Sequence, residues 1–214
     1  MMDVYREKNV ADPLIMLALL DSVDRDGDQS QRRLAAELGV ALGLVNAYLK
    51  RCIKKGLVKV AKAPRRRFAY YLTSQGFAEK SRLAADYLSR SFEFFREAKS
   101  DCHAVFGRAA EAGLCRLVLA GKSDLAEIFA ICASQSDAAI VAVLDPGATE
   151  SQFLGIPLVR SVDALPADVD GIVITDLVTP RQTCLPLIEM FGPARVLVPE
   201  LLRLRINPNP EPER

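Results

Sequence analysis

The chain has 214 residues, half of them hydrophobic and 26% charged, with a net charge of +1; this excludes a disordered or collagen-like chain and leaves room for one large domain or two small ones. No apolar run approaches the roughly 18 residues of a membrane span, and the charged residues at positions 3, 6, 7 and 8 do not fit a signal peptide, so a cytoplasmic protein without a membrane partner is expected. Five widely spaced cysteines without a CxxC pair, and His103 as the single histidine, signal neither a disulfide framework nor a metal site.

The small net charge hides a polarity along the chain. Residues 1–80 carry 15 Lys and Arg against 9 Asp and Glu, whereas residues 113–214 carry 8 against 13. Between Ser30 and Lys80, 12 cationic residues face Glu37 and Glu79 alone, which is the footprint of a polyanion-binding surface. A merely solvated basic face would have the same composition, so the local pattern must decide.

In chain order, Asp12-Pro13 pairs an N-cap with a proline at the first helical position, and Leu14, Ile15, Leu17, Ala18 and Leu19 supply an apolar face as far as Asp21. Gly27 breaks the chain, and Ser30 caps a second helix with Leu34, Ala35 and Leu38 at helical spacing until Gly39. A third helix is predicted over about 42–55. It buries Val45, Leu49, Cys52 and Ile53 and leaves Gly43, Leu44, Asn46, Ala47, Lys50 and Arg51 outward. Leu57, Val58 and Val60 then alternate with lysines, a turn carries Arg65, Arg66 and Arg67, and Phe68–Leu72 returns as a strand that needs at least one of Tyr70 and Tyr71 for packing. Helix, glycine turn, helix and basic hairpin make a winged helix-turn-helix, whose partner is double-stranded DNA. The expected contacts are Gln31, Arg32, Leu42, Gly43, Leu44, Asn46, Ala47, Lys50 and Arg51, with Arg65, Arg66 and Arg67 at the wing tip.

Residues 31–40 (QRRLAAELGV), 42–46 (LGLVN), 55–59 (KGLVK) and 71–76 (YLTSQG) resemble the MarR-type regulators associated with exopolysaccharide operons, over about residues 10–98. The resemblance implies a DNA-binding regulator of polysaccharide genes. Ala41 and Leu44 depart from it, where a serine N-cap and a lysine are usual.

Residues 75–99 are compatible with a helix and a second helical stretch reaches Ala112. Leu88, Phe92 and Phe95 share one face at i, i+4, i+7 spacing, together with Tyr87 and Phe94, and this stripe is either core against a second domain or the interface of a homodimer through residues 75–113, which is favoured.

From Cys115 onward, short β-branched runs alternate with helices: strands over 116–120, 138–144, 157–159, 171–175 and 195–198, and helices over 124–134 and 180–190. The continuous apolar strands predict a Rossmann-like parallel sheet covered on both faces, with ligands at the carboxyl ends of the strands. The expected divisions are 1–74 for DNA binding, 75–113 as linker and dimerisation helices, 114–206 for ligand binding, and a disordered tail over 207–214. Gly121, Lys122, Ser123 and Asp124 sit where a phosphate loop would sit, Asp145 where a ribose-binding acid would sit, and Asp176 at a third strand end. With GxGxxG absent, a bare strand-to-helix turn is the competing reading of Gly121.

The segments 117–128, 141–145, 154–159 and 170–176 resemble the Rossmann-like amino-terminal domain of sugar O- and N-acyltransferases of the sialic-acid and bacillosamine type, over about residues 114–200. Those enzymes carry their catalytic histidine in hexapeptide repeats, which this chain lacks, so the resemblance implies binding of a nucleotide sugar and not acyl transfer. The expected whole is a regulator that senses a nucleotide effector, without metal and without enzymatic activity, because no acid, base or nucleophile set is evident. The alternatives are a nucleotide-dependent enzyme tethered to DNA and a redox sensor, through NAD(H) or through Cys52.

Overall fold

The computed structural model describes residues 12–63 and 67–204. The chain forms two compact units that divide between Phe92 and Glu93. Together they are a winged helix-turn-helix and a parallel-rich α/β sheet of the Rossmann-like class, with a long helix in the segment between.

The first unit begins with α1 (Pro13–Arg25), α2 (Gln31–Leu38) and α3 (Leu42–Lys54). Asp12 accepts from the Leu14 N–H at 2.9 Å, Ser30 Oγ accepts from the Arg33 N–H at 3.2 Å, and Gly39 closes α2 at φ 63°. Ala41 opens α3 with no side-chain cap. The buried face of α3 is Val45, Tyr48, Leu49 and Cys52. Two expectations are corrected here. Ile53 is 40% exposed and lies at the edge of that face, while Tyr48 takes the core position and its hydroxyl accepts from the Asp12 N–H at 2.6 Å. Asn46 is half-buried, with its amide oxygen buried and without a partner among the described residues, and so is not simply outward.

The antiparallel hairpin β1 (Val58–Ala63) and β2 (Arg67–Leu72) pairs Val58 with Leu72 through to Ala63 with Arg67. Tyr70 is buried and Tyr71 is half-exposed, so the packing tyrosine is Tyr70. The Tyr70 N–H donates to the Gly27 carbonyl at 2.8 Å, which docks the hairpin on the loop after α1. The segment expected as two helices is one, α4 (Ser74–Glu111): no proline or capping signal interrupts it. Lys80 on its first turns binds Asp21 and Asp24, each at 2.8 Å, and Leu83 closes the core over α1–α3.

The second unit holds β3 (Arg116–Ala120), α5 (Asp124–Ala133), β4 (Ala139–Leu144), β5 (Gln152–Phe153), β6 (Ile156–Val159), β7 (Gly171–Ile174), α6 (Pro180–Phe191) and β8 (Val196–Leu197). The sheet order is β5-β6-β4-β3-β7-β8, with every pair parallel except β5–β6. The short β5 hairpin was not expected: two residues are too few for an alternating pattern.

Strand periodicity builds two cores. Leu117, Leu119, Val143 and Val173 pack on one face with the last turns of α4 and with α5, where Phe94, Phe106 and Phe129 lie. Val118, Ala120, Ala142, Ile172 and Ile174 pack on the other with Cys184 and Leu187 of α6. From β3 the chain runs outward through β4 to β6, then crosses back to β7 on the other side of β3. That reversal opens a crevice at the carboxyl ends of β3 and β7.

Candidate functional site

Each unit contributes one candidate site. On the first, Lys50, Arg51, Lys54 and Lys55 line a shallow depression on the exposed side of α3. Arg51 is steadied by its guanidinium stacking on the Tyr48 ring at 5.6 Å. Toward the start of the helix, Leu42, Gly43, Leu44 and Ala47 are exposed, and a Cβ on Gly43 would meet nothing within 4 Å. The helix therefore presents a small, apolar leading end followed by a cationic half. Arg32 is exposed on α2, while Gln31 donates from Nε2 to the Tyr70 hydroxyl at 2.7 Å and so braces the wing. Arg65 and Arg66 lie outside the described residues, as does the side chain of Arg67. Sequence reading passed over Lys54 and Lys55, although their spacing of four from Lys50 and Arg51 puts them on the same face.

Cys52 is buried on the opposite side of α3 with its sulfur 3.2 Å from Met16 Sδ, and burial pushes the thiol up to about 11. At neutral pH it is a protonated core thiol and not a redox switch.

In the second unit a cavity of about 530 Å³ opens at the carboxyl ends of β3, β4, β6 and β7. Gly121, Lys122, Asp145 and Asp176 line it, so the fold brings these four sequence candidates together. Ser123 instead caps α5: its hydroxyl accepts from the Ala126 N–H and donates to the Thr175 carbonyl at 2.5 Å. Asp124 is exposed on the first turn of α5. The crevice also takes Arg160 after β6, and Thr179, Gln182 and Thr183 with the apolar Pro186 and Met190 from α6. Arg160 was legible in principle as a residue just past a strand end. The α6 wall was not, because nothing in the sequence says which helix follows the crossover.

Gly121 (φ 105°) explains itself by space: a Cβ there would stand 2.5 Å from the Asp176 Cα. Its N–H donates to the Leu144 carbonyl, and the Lys122 N–H donates to Asp145 Oδ2, both at 2.9 Å. Asp145 accepts a second bond, on Oδ1, from the Gly147 N–H. Lys122 Nζ lies 2.8 Å from Glu150, and that hydrogen bond holds the Glu150 carboxyl down at about 2. Asp176 accepts from the N–H groups of Val178 and Thr179 and from the hydroxyls of Thr179 and Thr183, which anchors the start of α6. Burial raises its pKa, but these four donors outweigh that and hold it below the ordinary 3.8.

A folded pKa below the unfolded one means that Asp176 stabilises fully above about pH 4 and that the contribution disappears as pH falls through the folded value. Asp176→Ala is expected to destabilise the second unit by about 2 kcal/mol at pH 7, as four donors lose an acceptor at a partly exposed site. It should also flatten the acid limb of stability below about pH 4. Urea unfolding at a series of pH values measures both; an unchanged acid limb would remove Asp176 from the helix anchor.

Residues 14–59 match the family model described as winged helix-turn-helix DNA-binding. None of the curated proteins compared matches the chain. Among solved structures, the PcaV transcriptional regulator from Streptomyces coelicolor, in complex with its natural ligand, is similar at 20% identity with a TM-score of 0.36. The match covers 42% of this chain and 63% of that one, less than two thirds of the regulator's length. The O-methyltransferase NcsB1 from neocarzinostatin biosynthesis, with S-adenosyl-L-homocysteine, matches over 89% of this chain and 82% of its own at 15% identity and TM-score 0.39. Human N-acetylserotonin methyltransferase, with SAM, matches over 87% and 75% at 13% identity and TM-score 0.36.

The expectation of a chain without enzymatic activity is corrected: the two reported matches that span most of its length are methyltransferases. The likeness of residues 114–200 to sugar acyltransferases and the exopolysaccharide link find no support in these matches. Among the described residues, no helix is long and apolar enough to cross a membrane, and no three His, Cys, Asp or Glu side chains converge to hold a metal ion.

Proposed function

We propose that this chain is a DNA-binding transcription regulator of the MarR type whose second unit binds a nucleoside-containing effector. The observation that carries the reading is the cationic face of α3, with Lys50, Arg51, Lys54 and Lys55 behind an exposed, small-residue leading end on a winged helix-turn-helix. In this reading residues 1–74 contact DNA, 75–113 pair two copies, and 114–206 hold the effector. Leu88 and Phe92, half or more exposed on α4, and Phe95, at 44%, supply apolar surface for a second copy, and a two-fold dimer doubles the site read on DNA. The resemblance to exopolysaccharide-associated regulators would put polysaccharide genes under its control in the cytoplasm. The effector acts by binding one arrangement of the DNA-binding dimer more tightly than another.

Fluorescence anisotropy with a pool of random duplexes about 30 base pairs long tests the DNA half. Binding at low salt should weaken steeply between roughly 50 and 200 mM salt, as counterions are released by each phosphate contact. No binding to duplex at low salt would overturn the reading. For the effector half, a ligand at 100 times its Kd should raise stability by about 2.7 kcal/mol in a thermal-shift panel of nucleosides and nucleotides.

A further inference from the structure

Resting on the reading that the crevice of the second unit takes a nucleoside-containing ligand, we propose that it selects a nucleoside without phosphates, which sets it against nucleotide sugars. Three of the groups that a phosphate after β3 would use are already spent inside the fold. The Gly121 and Lys122 N–H groups donate to the Leu144 carbonyl and to Asp145. The Ser123 hydroxyl donates to the Thr175 carbonyl. The two cations at the crevice are also engaged: Lys122 Nζ lies on Glu150, and Arg160 donates to the carbonyls of Ala148 and Thr149 at 2.6 and 2.9 Å.

What faces the cavity beside them is negative. Asp145 and Asp176 line it and Glu150 covers Lys122, so three carboxylates stand against two cations. A phosphate brought to the Lys122 N–H would have to displace the Asp145 carboxylate from it and then sit next to it, and like charges in contact are strongly disfavoured. A sugar hydroxyl suffers no such penalty. A carboxylate has about four acceptor positions; Asp176 uses four on Val178, Thr179 and Thr183 around the start of α6, whereas Asp145 uses two and keeps capacity for a ribose hydroxyl pair. Val178, Pro186 and Met190 give the opposite wall an apolar surface on which a base can lie. Neutral base, hydroxyl donors and no anion is the ligand this lining complements.

Titration calorimetry of the full chain with adenosine, guanosine, cytidine and uridine, each beside its 5′-mono- and diphosphate and with UDP-glucose, tests this. At least one nucleoside should bind, about tenfold or more tightly than its own phosphates. Glu150→Gln releases Lys122 and should narrow that gap by strengthening the phosphorylated ligands, in a manner lost at high salt. Phosphates binding more tightly than their nucleoside to the wild-type protein would overturn the inference and leave the nucleoside-type effector standing. No binding by any member of the panel would overturn both.

Discussion

Lys50→Glu combined with Arg51→Glu is expected to lower the affinity for duplex DNA by about a hundredfold or more at low salt, and to reduce the slope of log affinity against log salt by about 2. Both side chains are exposed on α3 and line the same depression as Lys54 and Lys55, so the double reversal turns a surface of four cations into one of two cations and two anions. The fold should tolerate it, because exposed helix positions change stability by about 0.5 kcal/mol or less, apart from the loss of the Arg51 stack on Tyr48. Anisotropy titrations at several salt concentrations, with circular dichroism as the check on folding, measure the effect. Wild-type affinity and slope in the double variant would mean that the basic side of α3 does not meet DNA.

The second large effect is at Gly121. Gly121→Ala should destabilise the α/β unit by about 3 kcal/mol or more, through two causes that add. At φ 105° the backbone itself disfavours a side chain, and the new Cβ would stand 2.5–2.6 Å from the Asp176 Cα, Cβ and nitrogen. Asp176 cannot retreat without breaking the bonds that its own N–H and that of Thr175 make to the Ala120 carbonyl at 3.0 and 2.8 Å. Relief therefore requires β3 and β7 to part at their carboxyl ends, where the crevice opens. Gly113→Ala separates the two causes: its φ is 71° but nothing lies within 4 Å of the new Cβ, so about 1 kcal/mol for the left-handed backbone is all it should cost. Hydrogen exchange of the β3, β4 and β7 amides reports the second unit independently of the first. Equal effects of the two substitutions would refute the clash.

The helix-turn-helix was legible because its determinants are local. Asp12-Pro13, Ser30, Gly39 and Gly56 act on neighbouring residues, and apolar positions repeating at 3.6 residues define α1, α2 and α3 without reference to anything distant. The exchange of Ile53 for Tyr48 shows where that ends. Periodicity admits either, and the partner for the tyrosine hydroxyl, the Asp12 N–H, comes from 36 residues away. In the α/β unit the strands were legible from their β-branched runs, while β5, with two residues, left no pattern to read.

The candidate site divides in the same way. That Gly121, Lys122, Asp145 and Asp176 meet at one crevice follows from strand-end position, which the alternation of strands and helices already implies. What these groups do there depends on partners 23 to 55 residues away: the Lys122 N–H on Asp145, Lys122 Nζ on Glu150, and Asp176 pressed against Gly121.

By itself, the sequence determined the helices and strands apart from β5 and the continuity of α4, the cationic character of residues 30–80 and the class of each unit, because propensity, capping and charge are properties of neighbours along the chain. The tertiary structure alone decided that the Gly121 and Lys122 N–H groups after β3 are already satisfied and that α6 supplies the apolar wall of the crevice. Hydrogen-bond capacity is limited, and which acceptor claims a donor is settled only when the crossover from β6 to β7 brings distant strand ends together.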